Sequence, residues 1–253
     1  MATPTLIVFA ISHYCEKARW ALDYLGVDYT VKHIVPGVHR QLAKKLGAPG
    51  SSLPILVLSG QGDQEFIQGS SAIIDWAEAN KAADARSLAP QINQQQALDM
   101  ERRLDDVLGV HVRRFYYSEA LVDYPQSVRP IFTRDLTLLQ RWLVTAAWGG
   151  IRKRMIKGMD LGPEQGMQSR ELVVTEMEWL DGLLADGRSL LSGDKLSRVD
   201  ITAASLLAPL VQPEQHPAYG DIQIGPKVAA ACKQWEQQTC LQWTRAIYQK
   251  NRG

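Results

Sequence analysis

The chain has 253 residues, of which 45% are hydrophobic and 22% are charged, and its formal net charge is +1. This composition is typical of a soluble globular protein with one large domain or two small ones. Because both charge signs are spread along the chain, the sequence lacks the broad basic surface expected of a nucleic-acid-binding protein.

The cysteines and the hydropathy pattern indicate the compartment. Cys15, Cys232 and Cys240 make no closed disulfide framework and show no paired metal-ligand spacing, so we expect a reducing, cytoplasmic setting and no metal. The first ten residues lack the basic region of a secretion signal, and no run of roughly 18 apolar residues occurs. We therefore expect neither export nor a membrane span.

Residues 5–79 alternate short apolar runs with helical patterns. The predicted order is βαβαββα, with strands LIVFA, YTVKHIV, PILVLS and EFIQ and helices near 15–25, 39–46 and 70–79. The strand–helix–strand start implies a parallel pair, whereas the last two strands form an antiparallel hairpin through Gly60 and Gly62. The sequence therefore predicts a small α/β domain with a mixed sheet.

From residue 91 onward, strand patterns nearly vanish and helical patterns follow one another. Ser197 and Asp200 have the spacing of a helix capping box, and Leu196 with Ile201 can form its hydrophobic staple. The fold class is thus α/β plus all-α. The predicted parts are a domain at 1–82, a linker at 83–90 and an all-helical domain at 91–253.

The segment ISHYC, residues 11–15, joins the first strand to the first helix. Ser12 lies where free N–H groups and the helix dipole favour an anion, so its hydroxyl can donate to a bound thiolate or simply cap the helix. Tyr14 is an alternative donor, or packs over the helix start. Cys15 shares an apolar helical face with Leu22, so we expect a core thiol; the alternative is an exposed thiol of low pKa.

Two further segments offer groups to a ligand. If the Leu53–Pro54 bond is cis, the backbone of the preceding residue is free to pair with an extended ligand; otherwise Pro54 simply begins a strand. Ser70 and Ser71 begin the third predicted helix, where hydroxyls and free N–H groups can hold a carboxylate or cap the helix.

In this order, the segments resemble the glutathione S-transferase family over nearly the whole chain. SHYCEKAR, residues 12–19, resembles the Ser-Pro-Phe-x-x-(Lys/Arg)-x-Arg signature of its serine-type classes, and SSAI, residues 70–73, resembles its Ser-x-Ala-Ile motif. GDKLSRVDIT, residues 193–202, resembles the capping box and staple of its helical domain. The resemblance implies a thioredoxin-like N-terminal domain followed by a helical C-terminal bundle.

The resemblance also implies the roles of single residues. Ser12 matches the residue that activates the glutathione sulfur, with Tyr14 and Cys15 as alternates. The glutathione-binding residues are then Arg40, Leu53, Pro54, Gly69, Ser70 and Ser71. In such a site the reacting thiol belongs to the bound tripeptide, so the protein needs a hydrogen-bond donor instead of its own nucleophile.

These binding residues divide between the parts of glutathione. Leu53 and Pro54 match the backbone that pairs with the cysteinyl part, and Ser70 with Ser71 matches the motif for the γ-glutamyl carboxylate. Among the cations near the second helix, which are His39, Arg40 and Lys44, we favour Arg40 for the glycine carboxylate.

Three features depart from the family pattern. Gly69 stands where the family has Glu or Gln, which removes one contact to the γ-glutamyl amino group. His13 replaces the proline of the turn, and we expect it to face solvent, with an added hydrogen-bond donor as the alternative. The third departure is the long stretch between Gln91 and Ser197. Its basic run, Arg152–Lys157, is expected to be a solvated helix face, with contact to a membrane surface as the alternative.

The sequence predicts a pocket for the second substrate, lined by His111, Phe115 and Tyr116. These residues lie in or just before the segment RRFYYSEALVDY. Large apolar and aromatic side chains beside a sulfur site can hold an electrophile. The alternative is that these side chains pack in the helical core.

The predicted function is a cytoplasmic, homodimeric glutathione transferase that acts in detoxification. It activates the glutathione thiol for attack on a hydrophobic electrophile or a peroxide, with glutathione as co-substrate and without nucleic acid or a transmembrane span. Two alternatives remain: a non-catalytic ligand-binding or interaction protein of the same fold, which Gly69 favours, and a thiol transferase that depends on Cys15.

Overall fold

A computed structural model describes residues 2–59, 65–133, 136–219, 222 and 224–252. The chain divides into two compact units, Met1–Ala89 and Pro90–Gly253. The first unit combines a sheet with helices, and the described part of the second is built from helices. The predicted fold class is therefore confirmed.

The first unit follows the predicted element order. Its elements are β1 Ala2–Val8, α1 His13–Tyr24, β2 Thr30–His33, α2 Val38–Leu46, β3 Ile55–Ser59, β4 Phe66–Gln68 and α3 Ser70–Asn80. The strand order is β2-β1-β3-β4, in which β1 is parallel to β2 and antiparallel to β3, and β3 is antiparallel to β4. The mixed sheet is thus confirmed, while the predicted turn at Gly60 and Gly62 lies outside the described residues.

The core of the first unit lies between the sheet and its helices. Leu6 and Ile55, on the central strands, have no exposed surface, and neither do Ala18 in α1 and Ile73 in α3. Helices α1 and α3 pack against each other. Burial of these apolar side chains fixes the strand ends from which the connecting segments emerge.

The second unit contains more helices than the sequence pattern predicts. They are α4 Gln94–Arg103, α5 Val110–Ala120, α6 Pro125–Thr133, α7 Leu138–Met159, α8 Pro163–Leu184, α9 Arg198–Val211, α10 Pro226–Trp235 and α11 Thr239–Asn251, with a π-helical segment at Leu104–Gly109 between α4 and α5. The sequence pattern predicts one continuous helix over residues 97–117 and another over residues 228–249. The π segment interrupts the first, and residues 236–238 break the second into α10 and α11. Helix α6 was not predicted, because Pro130 within it reads as a helix breaker.

Helix α9 is the central helix of the second unit and is buried along almost its whole length. The predicted capping box is confirmed: the Ser197 hydroxyl accepts from the Asp200 N–H, and the Asp200 carboxylate accepts from the Ser197 N–H at 2.9 Å. The other carboxylate oxygen accepts from the Leu191 N–H at 2.6 Å. Asp200 therefore joins the start of α9 to the preceding turn.

Candidate functional site

Several connecting segments of the first unit start from the same end of the sheet. Ile7, near the end of β1, pairs with Ile55 at the start of β3, and Ile55 pairs with Gln68 at the end of β4. The chain leaves β2 beside the end of β1, since the Ile34 N–H donates to the Val8 carbonyl at 3.1 Å. The segments after β1, β2 and β4, and the segment before β3, therefore meet at one edge.

This edge carries the residues predicted for glutathione. Ser12 follows β1, and Arg40 lies in α2 after β2. Leu53 and Pro54 directly precede β3, and the segment 69–71 directly follows β4. The strand register thus brings together four segments that are far apart in the sequence.

Ser12 occupies the N-cap position of α1. Its Oγ accepts from the Cys15 N–H at 3.3 Å, and its own N–H donates to the Phe9 carbonyl at 3.1 Å. A hydroxyl has one donor and two acceptor sites, so capping through an acceptor site does not consume the donor. The two interpretations of Ser12, as a cap and as a donor to an anion, are therefore compatible.

Cys15 is buried in the core of the first unit, with 1% of its surface exposed. Burial is the main cause that raises the pKa of its thiol, to about 11, against a smaller lowering by the hydrogen bond with Ser12. A thiol-transfer nucleophile needs a thiolate near neutral pH. The position agrees with the predicted core thiol and argues against the Cys15-dependent alternative.

We expect Cys15 to resist alkylation in the folded protein, because a raised pKa near 11 lowers the thiolate fraction at pH 8 by about 100-fold relative to an ordinary thiol. The measurement is iodoacetamide labelling followed by peptide mass spectrometry, with and without denaturant. The comparison is Cys15 itself in the denatured protein, because burial raises the pKa of Cys232 to about 11 as well. Equal labelling rates of Cys15 in the folded and unfolded protein would restore the thiol-transfer alternative.

His13 and Tyr14 form the first residues of α1. The expectation of a solvent-facing His13 is wrong, because only 3% of its surface is exposed. Its ring lies 4.5 Å from the Tyr14 ring, centroid to centroid, and Tyr14 itself is half-buried. The imidazole is therefore part of the packing at the start of α1.

The Leu53–Pro54 peptide bond is cis, which is the first of the two alternatives that the sequence left open. The Pro54 carbonyl accepts from the Gly69 N–H at 3.0 Å, so the segment before β3 is hydrogen-bonded to the segment after β4. Leu53 is 8% exposed. The cis-proline and the start of α3 are thus held side by side.

Gln68 is a residue of this edge that the sequence analysis missed. Its side-chain amide donates to the Gly50 carbonyl at 2.9 Å and to the Ser52 carbonyl at 2.8 Å. These two bonds position the loop that leads into the cis-proline. A polar side chain at the last position of an apolar strand was the only signal in the sequence.

The start of α3 combines two hydroxyls with a buried cation. Gly69 is the N-cap, with φ 98°, and Ser70 and Ser71 are the first helical residues. The fully buried Lys17 donates its Nζ to the Ser71 Oγ at 2.8 Å. An ammonium group beside the positive end of a helix favours a bound anion, and sequence analysis had given Lys17 no role here.

Arg40 is exposed at the start of α2, next to His39. The His39 Nδ1 accepts from the Gly37 N–H at 3.0 Å, and its ring lies 5.0 Å from the Phe9 ring. Burial, and then the charge of Arg40, lower the pKa of His39, so this imidazole is neutral at pH 7. Arg40, which is permanently charged, is therefore the better candidate for a carboxylate.

The residues predicted for a second-substrate pocket lie in α5. Phe115 and Tyr116 are 7% and 4% exposed, and the Phe115 ring lies 5.6 Å from the Trp235 ring. Burial raises the pKa of Tyr116. His111 Nδ1 lies 3.1 Å from the Ser169 Oγ. These contacts support the core-packing alternative, and the pocket stays a prediction.

Within the described residues, no group of three or more His, Cys, Asp or Glu side chains is arranged to hold a metal ion. The helices of that same part of the chain include none that is long and apolar enough to cross a membrane.

Residues 6–85 match the family model described as glutathione S-transferase, N-terminal domain. Three solved structures are similar to the whole chain. GSTFuA2 from Phanerochaete chrysosporium is 15% identical, with 100% of this chain and 99% of that one covered and a TM-score of 0.66. FzlA from C. crescentus is 15% identical, with 99% and 89% covered and a TM-score of 0.60.

The third is a glutathione S-transferase from Methylobacterium radiotolerans in complex with glutathione sulfonate, which is 18% identical, with 95% and 93% covered and a TM-score of 0.55. Because the sequence identities are this low, the structural similarities establish the fold alone. No curated protein sequence matches the chain at a significant level.

Proposed function

We propose that the protein is a glutathione transferase, because residues 6–85 match the family model described as glutathione S-transferase, N-terminal domain. It binds glutathione at the shared edge of the sheet and activates the thiol for attack on a hydrophobic electrophile or a peroxide. The observation that carries the proposal is the strand register, which brings the segments of Ser12, Pro54, Ser70 and Arg40 to one edge.

Ser12 is the proposed activating residue. A free thiol has a pKa of about 8.5, and each unit by which the protein lowers it corresponds to about 1.4 kcal/mol in favour of the thiolate. The Ser12 hydroxyl and the N-terminus of α1 both favour a negative charge at that position. The protein then supplies a donor, and the tripeptide supplies the nucleophile.

We propose a separate binding site for each of the two carboxylates of glutathione. Ser70 and Ser71 hold the γ-glutamyl carboxylate at the start of α3, where the buried ammonium of Lys17 donates to Ser71, and Arg40 holds the glycine carboxylate. The backbone at Leu53 pairs with the cysteinyl part. The bound glutathione sulfonate in the Methylobacterium relative supports a tripeptide site on this fold.

Other parts of the proposal rest on the family resemblance alone. They are a cytoplasmic homodimer, a role in detoxification and glutathione as the co-substrate. A second candidate function is a ligand-binding or interaction protein that has lost catalysis. It is favoured by Gly69, where a side chain that contacts the γ-glutamyl amino group is missing.

Calorimetric titration with glutathione tests the proposed site. We expect a dissociation constant between the micromolar and low millimolar range, and about 10- to 150-fold weaker binding after Ser71→Ala, because one hydrogen bond to a charged group is lost. Ser189→Ala, at an exposed position of the second unit, is the matched control and is expected to leave binding unchanged.

Absence of detectable heat at about 10 mM glutathione, which corresponds to binding weaker than about 3 kcal/mol, would contradict the proposal. In that case the ligand-carrier function replaces it, and Ser12 and Ser70 are structural residues at helix starts.

A further inference from the structure

Helix α7 exposes large apolar side chains at its beginning. Leu138, Leu139, Trp142 and Leu143 are 83%, 69%, 66% and 52% exposed. These four residues, named here the apolar half of α7, are contiguous on the helix. Single exposed apolar residues are ordinary, but a contiguous group of this kind marks a surface that binds something.

The inner side of α7 is fixed to the rest of the second unit. The Trp148 ring lies 6.3 Å from the Phe132 ring in α6, and Trp148 is the buried residue of α7. One turn later, the Arg152 guanidinium donates to the Leu121 carbonyl at 2.5 Å and to the Val122 carbonyl at 2.7 Å. Arg152 therefore faces inward, which corrects the expectation that the whole basic run is solvated.

The outer side of α7 continues from the apolar half into a basic half. Lys153, Arg154 and Lys157 are exposed. Leu139 and Lys157 are 18 positions apart, which is five full turns, so they lie on the same side of the helix. The basic half of α7 is defined by these three exposed cations.

All the charged side chains of α7 are basic. The helix contains five of the 28 Lys and Arg residues of the chain and none of its 27 Asp and Glu residues. The rest of the chain is consequently net negative, so α7 accounts for the small excess of positive charge in the molecule. A partner that covers the outer side must accept leucine and tryptophan at one end and cations at the other.

We propose that α7 binds the surface of an anionic lipid bilayer. The apolar half enters the boundary between headgroups and acyl chains, and the basic half contacts the lipid phosphates. Helices with Trp and Leu beside Lys and Arg bind bilayer interfaces in this way, lying along the surface instead of crossing it. The helix is about 33 Å long, so both halves reach the surface together.

An anionic bilayer explains the exposure of both the apolar half and the basic half of α7, whereas each other kind of partner explains only one of the two halves. A second copy of the chain paired through the apolar halves leaves the cations without a role. A nucleic acid engages the cations and Trp142 but leaves Leu138, Leu139 and Leu143 exposed. The inference goes beyond the proposed glutathione chemistry and does not depend on it.

Flotation of the full-length protein with vesicles tests the inference. We expect the protein to float with vesicles of mixed phosphatidylcholine and phosphatidylserine and not with vesicles of phosphatidylcholine alone. The double variant Lys153→Gln/Lys157→Gln is expected to bind about 30-fold more weakly, because each cation near an anionic surface contributes about fivefold. Added salt is expected to weaken the binding of the unmodified protein.

The control is Lys233→Gln/Lys250→Gln, which removes two exposed cations of α10 and α11 and is expected to bind as the unmodified protein does. Leu139→Gln/Leu143→Gln, also at exposed positions, is expected to abolish flotation while the thermal unfolding temperature stays unchanged.

Three results would overturn the inference. One is the absence of flotation with anionic vesicles. Another is flotation that the α7 substitutions leave unchanged. The third is a molar mass, measured by light scattering, that falls from dimer to monomer in Leu139→Gln/Leu143→Gln without any vesicle binding; this would assign the apolar half to an interface between two copies.

Discussion

Replacement of Ser12 by alanine is expected to lower the rate of glutathione conjugation by roughly ten- to a thousandfold, the range seen when one donor to a developing or stabilised anion is removed. The hydroxyl is the proposed donor to the bound thiolate, and it also accepts from the Cys15 N–H at 3.3 Å. Loss of the cap alone destabilises α1 by about 1 kcal/mol and does not explain such a loss of turnover.

Two measurements separate the catalytic from the structural effect of Ser12→Ala. The ultraviolet absorbance of bound thiolate, followed against pH, is expected to show the pKa of bound glutathione returning toward about 8.5. Calorimetry is expected to show that glutathione still binds. Unchanged turnover with intact glutathione binding would remove Ser12 from the reaction.

Tyr14→Phe and Cys15→Ala are the matched variants for this experiment. Each removes one alternate group from the start of α1, and neither removes the Ser12 hydroxyl. We expect both to retain most of the conjugation activity, since Cys15 is buried with a pKa near 11. A loss in Tyr14→Phe as large as in Ser12→Ala would assign the donor role to the phenol.

The fold was predictable because local patterns and long-range packing agree in this chain. Short apolar runs between helical patterns predicted the strands of the first unit, and the spacing of Ser197 and Asp200 predicted the start of α9. The register of Ile7, Ile55 and Gln68 brings the predicted site segments to one edge, and their role in binding stays a prediction. Local sequence patterns are sufficient to predict a turn or a helix start, because the interactions that form it lie within a few residues of each other.

Contacts between distant residues could not be read from the sequence. Lys17 and Ser71 are 54 positions apart, and only the packing of α1 on α3 brings the ammonium to the hydroxyl. Gln68 reaches the loop before the cis-proline because β4 pairs with β3. His13 was expected to face solvent because a polar residue in a turn is usually exposed, but its ring packs against Tyr14.

Asp200→Ala is expected to lower the free energy of unfolding of the second unit by about 3–5 kcal/mol. The carboxylate is fully buried and accepts from the Leu191 N–H, the Ser197 N–H and the Ser197 hydroxyl at 2.6, 2.9 and 2.6 Å. Each buried donor left unpaired costs about 1–3 kcal/mol, and the cap of α9 is lost as well. The measurement is the urea midpoint from circular dichroism, supported by hydrogen exchange of the α9 amides.

Ser197→Ala and Asp194→Ala complete the comparison. Ser197→Ala removes one side of the capping box and is expected to cost about 1–2 kcal/mol, whereas Asp194 is exposed and its substitution is expected to stay within about 0.5 kcal/mol of the unmodified protein. Burial raises the pKa of Asp200, and its bonds from Ser197 and Leu191 oppose that rise, so these bonds offset the cost of a buried carboxylate. If Asp200→Ala were no more destabilising than Asp194→Ala, apolar burial alone would hold α9 in place and the capping box would serve only to direct the chain into the helix.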